Sequence, residues 1–214
     1  VGSAGRKDKY AVARQTLSVW NVPPEQLMDL DLENARVLWA KRHTNKLRIG
    51  HLLGNRFTLR IRDVHPEAEA RAGAILDVLA RRGVPNGYGR QRFGNRGDND
   101  KIGLALVRKD WDVLDWRGIH NPSYGQRRFY VNALQSALFN RVLTVRMHEE
   151  TMDDLLSGDI AKKHDTGGMF TVKDVEQERP RVANWEISAT GPIYGYTMME
   201  AQDEAAAPEA RVPA

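Results

Sequence analysis

The chain has 214 residues, 41% hydrophobic and 28% charged, enough for one large or two small packed cores and unlike a fibrous or disordered composition. No apolar run approaches a membrane span, and the absence of cysteine excludes a disulfide framework, a thiolate nucleophile and a cysteine-ligated zinc site. The net charge of +4 is unevenly spread: residues 1–99 carry 18 basic and 10 acidic side chains, residues 100–214 carry 14 and 18, so the polyanion-attracting part is the first.

In chain order, the opening Val1-Gly-Ser-Ala-Gly-Arg-Lys-Asp-Lys-Tyr10 places one acid, Asp8, between Lys7 and Lys9, after glycines that permit tight turns. A charged triplet of this kind is commonly a solvated loop. Arg14 to Trp20 alternates as a strand does, Asn21-Val-Pro-Pro24 breaks it, and Glu25 to Asn34 holds a short helical turn. Ala35 to Lys41 and Lys46 to Leu53 read as two further strands. Arg56 to Arg62 gives the clearest alternation, with Phe57, Leu59 and Ile61 on one side and three arginines and Thr58 on the other.

Pro66 introduces a helix whose Ala72, Ile75, Leu76 and Leu79 form one apolar stripe, ended by Arg81-Arg82-Gly83. Val84 to Gly94 concentrates glycine, aromatics and arginine, so it reads either as a rigid surface turn or as a loop suited to RNA phosphates and bases. A domain boundary is placed after Asn99. Phe129 to Met147 is a long amphipathic helix, Gly167 to Val172 and Trp185 to Ala189 are short strands, and residues 204–214 are a disordered tail. The histidines show no metal-ligand spacing, and phosphate-loop, dinucleotide and serine-elbow signatures are absent.

Four segments together resemble the TruD family of tRNA pseudouridine synthases. Ala4-Gly-Arg-Lys-Asp-Lys-Tyr-Ala-Val12 is similar to the family's Ala-Gly-x-Lys-Asp motif, and Gly54-Asn-Arg-Phe57 to its Gly-Asn-x-Phe segment. Tyr88 to Gly94 followed by Asn99 is similar to the loop that ends the shared core. Leu134 to Asn140 and the turn Thr190-Gly-Pro192 resemble elements of the family's inserted domain.

The resemblance implies an α+β fold: a mixed, mainly antiparallel pseudouridine synthase sheet at 1–99, an inserted α+β domain at 100–203, and the tail at 204–214. It implies isomerisation of a tRNA uridine, position 13 being expected, to pseudouridine. Asp8 would be the catalytic aspartate, acting as a nucleophile or as a base that forms a glycal. Phe57 would stack on the flipped uracil, Asn55 would order the Asp8 loop, and Lys7, Lys9, Gln91 and Arg92 would contact the substrate or its loop. Redox-neutral isomerisation needs no cofactor, and the expected partner is tRNA in the cytoplasm, with no membrane and no protein partner implied. The family's preceding and final strands are not visible in the sequence, which implies a chain covering the middle of a synthase. The alternative is an RNA-binding module that keeps the scaffold without catalysis.

Overall fold

A computed structural model describes residues 1–212. Two compact units divide after Val64, the first Val1–Val64 and the second His65–Ala214.

The first unit holds β1 (Gly2–Ser3), β2 (Leu17–Ser18) and α1 (Pro24–Met28). β1 and β2 pair antiparallel, Gly2 opposite Ser18 and Ser3 opposite Leu17. Gly2 is buried where any Cβ would collide with the Leu47 carbonyl, and the Ser18 hydroxyl accepts from the Leu47 N–H at 3.0 Å. No hydrophobic side chain of this unit is buried. The strands expected over 35–41, 46–53 and 56–62 do not form, and the one over 14–20 shortens to β2. Phe57, Leu59 and Ile61 are 77%, 81% and 78% exposed. Alternation marks two faces, but a strand also needs a neighbouring ladder for its N–H and C=O groups, and residues 56–62 have none here.

The second unit begins with α2 (Ala68–Arg82), the helix predicted from the Ala72–Leu79 stripe. It ends at Gly83, whose φ of +83° favours glycine and whose N–H returns to the Leu79 carbonyl at 2.9 Å. Arg82 then donates two hydrogen bonds, at 2.6 and 2.7 Å, to the Asp153 carboxylate. That contact holds the Asp153 carboxyl below the usual carboxylate range.

α3 (Arg90–Phe93), α4 (Asn99–Arg108), α5 (Trp111–Trp116) and α6 (Tyr124–His148) follow. α6 starts at a capping box, the Ser123 hydroxyl accepting from the Gln126 N–H while the Gln126 side chain accepts from Ser123 N–H. α4 crosses α6 closely because Gly103 lies where a Cβ would strike the Tyr130 carbonyl. Ile102, Ala105 and Leu114 form the core beneath, with Leu106, Ile119 and Tyr130 packed on it. At this junction Arg117 pairs with buried Asp98.

β3 (Ile160–Lys163), β4 (Met169–Thr171), α7 (Val175–Ala183) and β5 (Ile187–Ala189) build a small antiparallel sheet ordered β4-β3-β5. β4 and β5 match the predicted strands, and the central β3 pairs with both. Leu155, Ala161, Val172 and Ile187 form the core of this part, with α7 covering it through Val175 and Val182.

The end of the chain differs from the expected tail. α8 (Asp203–Ala210) is held from outside: the Gln202 N–H donates to the Gly158 carbonyl at 3.0 Å, and the Ala205 N–H to the Ser157 carbonyl at 3.0 Å. Ala205, Pro208 and Val212 are buried, Val212 against Leu138 and Val142 of α6. This burial offsets the helix-breaking tendency of Pro208. Residues 213–214 of the expected tail lie outside the described residues.

On α8, burial pushes the Glu209 carboxyl above its ordinary value, and the nearby Asp159 charge adds to the effect. A carboxyl raised in the folded state binds its proton more tightly than the unfolded chain does, so stability falls as pH rises from the unfolded value through the folded one. Glu209→Gln is therefore expected to melt higher than wild type at neutral pH, by roughly 1–2 °C after allowing for solvent screening of a half-exposed group. The difference should vanish in acid, and paired melting curves across pH check both parts.

Candidate functional site

In the first unit, the Asp8 segment is fastened at both ends. The Ala4 carbonyl accepts from the Gly50 N–H at 2.9 Å, and Asp8 Oδ1 accepts from the Tyr10 N–H at 2.9 Å, closing an Asx turn. The second carboxylate oxygen makes no hydrogen bond among the described residues, and Asp8 is exposed. Lys7 Nζ donates to Asn55 Oδ1 at 2.7 Å across 48 positions, which brings together the Ala4–Val12 and Gly54–Phe57 segments singled out in the sequence. Lys9 turns toward the Tyr10 ring, its ammonium 5.7 Å from the centroid. Lys7, Lys9, Asn55 and Phe57 are all exposed. The arrangement is thus a solvent-facing acid held by a short turn, with one neighbouring lysine committed to an amide and the other to a ring.

Gln91 and Arg92 lie in the second unit, on the single turn α3. Gln91 is exposed and Arg92 half-buried, its guanidinium 5.1 Å from the centroid of the Tyr88 ring. The Tyr88 ring also packs edge-to-face with Phe139, 5.5 Å between centroids at 80°. Asn140 is the residue whose part sequence reasoning missed: its Oδ1 accepts from the Tyr88 N–H and its Nδ2 donates to the Tyr88 carbonyl, both at 2.8 Å. The signals that pointed there are the resemblance of Leu134 to Asn140 to a family segment and an Asn in the interior of a long helix, where it is a poor helix former.

Two matched segments of the second half meet at the same helix. Gly191 packs on the Phe139 ring so closely that a Cβ would lie 2.5 Å from Cε2, and Gln135 Nε2 donates to the Tyr194 carbonyl at 2.5 Å. Arg90, Phe93, Gly97, Asp100, Ala137 and Asn140 line an open depression of about 420 Å³ beside this loop. Among the described residues no helix is long and apolar enough to cross a membrane.

Comparisons with known proteins cover the whole of this arrangement. The family profile described as tRNA pseudouridine synthase D (TruD) matches residues 1–126 and 116–212. The protein named tRNA pseudouridine synthase D of Geobacter sulfurreducens is 38% identical over 97% of this chain and 64% of its own length. Its namesake in Anaeromyxobacter dehalogenans is 42% identical over 99% of this chain and 59% of its own. The chain therefore spans about two-thirds or less of the relatives it matches. A crystal structure named for tRNA pseudouridine synthase D (TruD) from Methanosarcina mazei superposes with a TM-score of 0.80 at 22% identity, covering 99% of this chain and 64% of that one. That likeness gives the fold, helices with antiparallel sheet, as expected from the sequence. The profile match and the identities to curated relatives settle the family: this chain belongs to the TruD family of tRNA pseudouridine synthases.

Proposed function

We propose that the protein takes part in isomerising a uridine of tRNA to pseudouridine, with Asp8 as the catalytic aspartate and position 13 as the target. The observation that carries this reading is the Lys7–Asn55 hydrogen bond, which joins the two motif segments of a TruD family member around an exposed, turn-held carboxylate. In the reaction the N1–C1′ bond of the uridine breaks, the uracil rotates, and C5 bonds C1′, its hydrogen leaving to solvent as a proton while N1 takes up a proton. Asp8 serves as nucleophile or base, with its Oδ1 steadied by Tyr10 N–H and its other oxygen available to substrate. Phe57, 77% exposed, supplies a face on which a flipped uracil can stack and still turn in its own plane. Asn55 and Lys7 order the segment, Lys9 adds positive charge, and Gln91 and Arg92 contact RNA phosphate or its loop.

Residues 1–99 act as the catalytic portion and 100–203 as the inserted portion, a functional division distinct from the two compact units. The setting is the cytoplasm, where tRNA is the partner. The test uses tRNA transcript carrying tritium at uridine C5, because pseudouridine formation releases that hydrogen. Stoichiometric tritium release mapped to one uridine is expected. Binding of tRNA without release would leave an RNA-binding scaffold and overturn the enzymatic reading.

A further inference from the structure

We propose that Asn140 of α6 is a positioning residue that fixes the 88–92 segment for contact with RNA phosphates; the proposal rests on the tRNA-modifying reading above. A primary amide is the side-chain group able to accept from one backbone N–H and donate to the carbonyl of the same residue in one plane, and Asn140 does so at Tyr88 from 52 positions away. Gly87 permits the approach, since a Cβ there would press on Asn140 Oδ1 at 3.3 Å. With its backbone clamped, Tyr88 packs edge-to-face with Phe139 and offers its face to the Arg92 guanidinium. The helix thereby fixes Arg92 through one intermediate residue.

The placement of Arg92 suits an external anion. Arg82, Arg117, Arg146, Arg179, Arg181 and Arg211 all pair with carboxylates. Arg90 and Arg92 have no carboxylate partner among the described residues, which is true also of Arg81, Arg96, Arg127, Arg128 and Arg141; what sets Arg92 apart is its place against the clamped Tyr88 ring. Arg92, with one planar face against an aromatic ring, keeps its N–H fork for a phosphate, which it can bind through two parallel hydrogen bonds. A guanidinium held in advance loses less side-chain freedom on binding than a mobile one.

The experiment measures tRNA affinity of the full chain over a salt series for wild type, Asn140→Ala, Arg92→Ala and the double variant, with amide exchange at Tyr88 followed in parallel. Asn140→Ala is expected to weaken binding about tenfold and lower the slope of log K against log salt by about one, the value of one lost phosphate contact. Amide exchange at Tyr88 should accelerate while α6 stays protected. Arg92→Ala should cost about tenfold in the wild-type background and almost nothing beside Asn140→Ala, because the two act in series. Additive losses, or an unchanged salt slope in Asn140→Ala, would overturn the proposal. Should Asn140→Ala fail to fold, Asn140→Asp keeps the volume and the acceptor but loses the donor to the Tyr88 carbonyl. It is expected to bind more weakly with a reduced slope, and wild-type binding by this variant would overturn the proposal equally. Absence of tRNA binding by wild type would instead remove the functional reading, and the positioning proposal with it.

Discussion

Asp8→Asn is expected to lower pseudouridine formation by about 10⁴-fold or more while leaving tRNA affinity nearly unchanged. The amide keeps an oxygen that can accept from Tyr10 N–H, so the turn around residue 8 is retained. What it loses is the carboxylate, and with it both nucleophilicity and basicity. Asp8 is exposed and makes no ion pair among the described residues, so the substitution removes chemistry without removing packing. Single-turnover tritium release with a parallel binding assay checks it, and residual activity within about tenfold of wild type would take the chemistry away from Asp8. The same assay separates the two roles: a primary isotope effect with deuterium at uridine C2′ identifies removal of a ribose proton, and none is expected if Asp8 attacks as a nucleophile.

The second large effect is structural. Arg146→Ala is expected to destabilise the second unit by about 3–5 kcal/mol, since it strips the partner from a buried carboxylate. The Arg146 and Asp159 side chains are only 8% and 3% exposed, joined by hydrogen bonds at 2.6 and 3.0 Å. Arg146 also donates to the carbonyls of Thr151 and Asp154, and Asp159 accepts from the Leu156 N–H at 2.7 Å. Replacing both by apolar residues should recover only part of the loss, because those part-buried backbone groups would lose their partners. Thermal melting checks it: a fall of roughly 10 °C is expected for Arg146→Ala, and a change under about 2 °C would show the pair to be dispensable.

The helices were legible where a stripe at three and four residues met a clear stop or start, as in α2 with Gly83 and α6 with its long apolar face. α4 was hidden because the turn-forming residues at 95–99 and Gly103 lower the helical signal, although Gly103 is what admits the close crossing on α6. β3 escaped because only Ile160 and Ala161 of its four residues are buried, too short a run for any period to show. The opposite error fell on residues 56–62, where alternation was plain but the pairing partner that makes a strand is not a local property. At the site, the motifs named Asp8, Lys7, Asn55 and Phe57 through resemblance. The bonds joining Lys7 to Asn55 and Asn140 to Tyr88 span 48 and 52 positions, and a single sequence carries no signal for such pairings.

The first unit, with no buried hydrophobic side chain, has a consequence for how stability is observed. A cooperative melting transition draws its heat and its sharpness from apolar burial, so the curve for this chain reports the cores around α6 and the β4-β3-β5 sheet. The Asp8 segment rests on hydrogen bonds exposed to water, each worth about 0.5–1.5 kcal/mol, and opens locally without passing through that transition. Order around Asp8 is therefore silent in calorimetry, and amide exchange at Tyr10 and Gly50 is the observable that follows it.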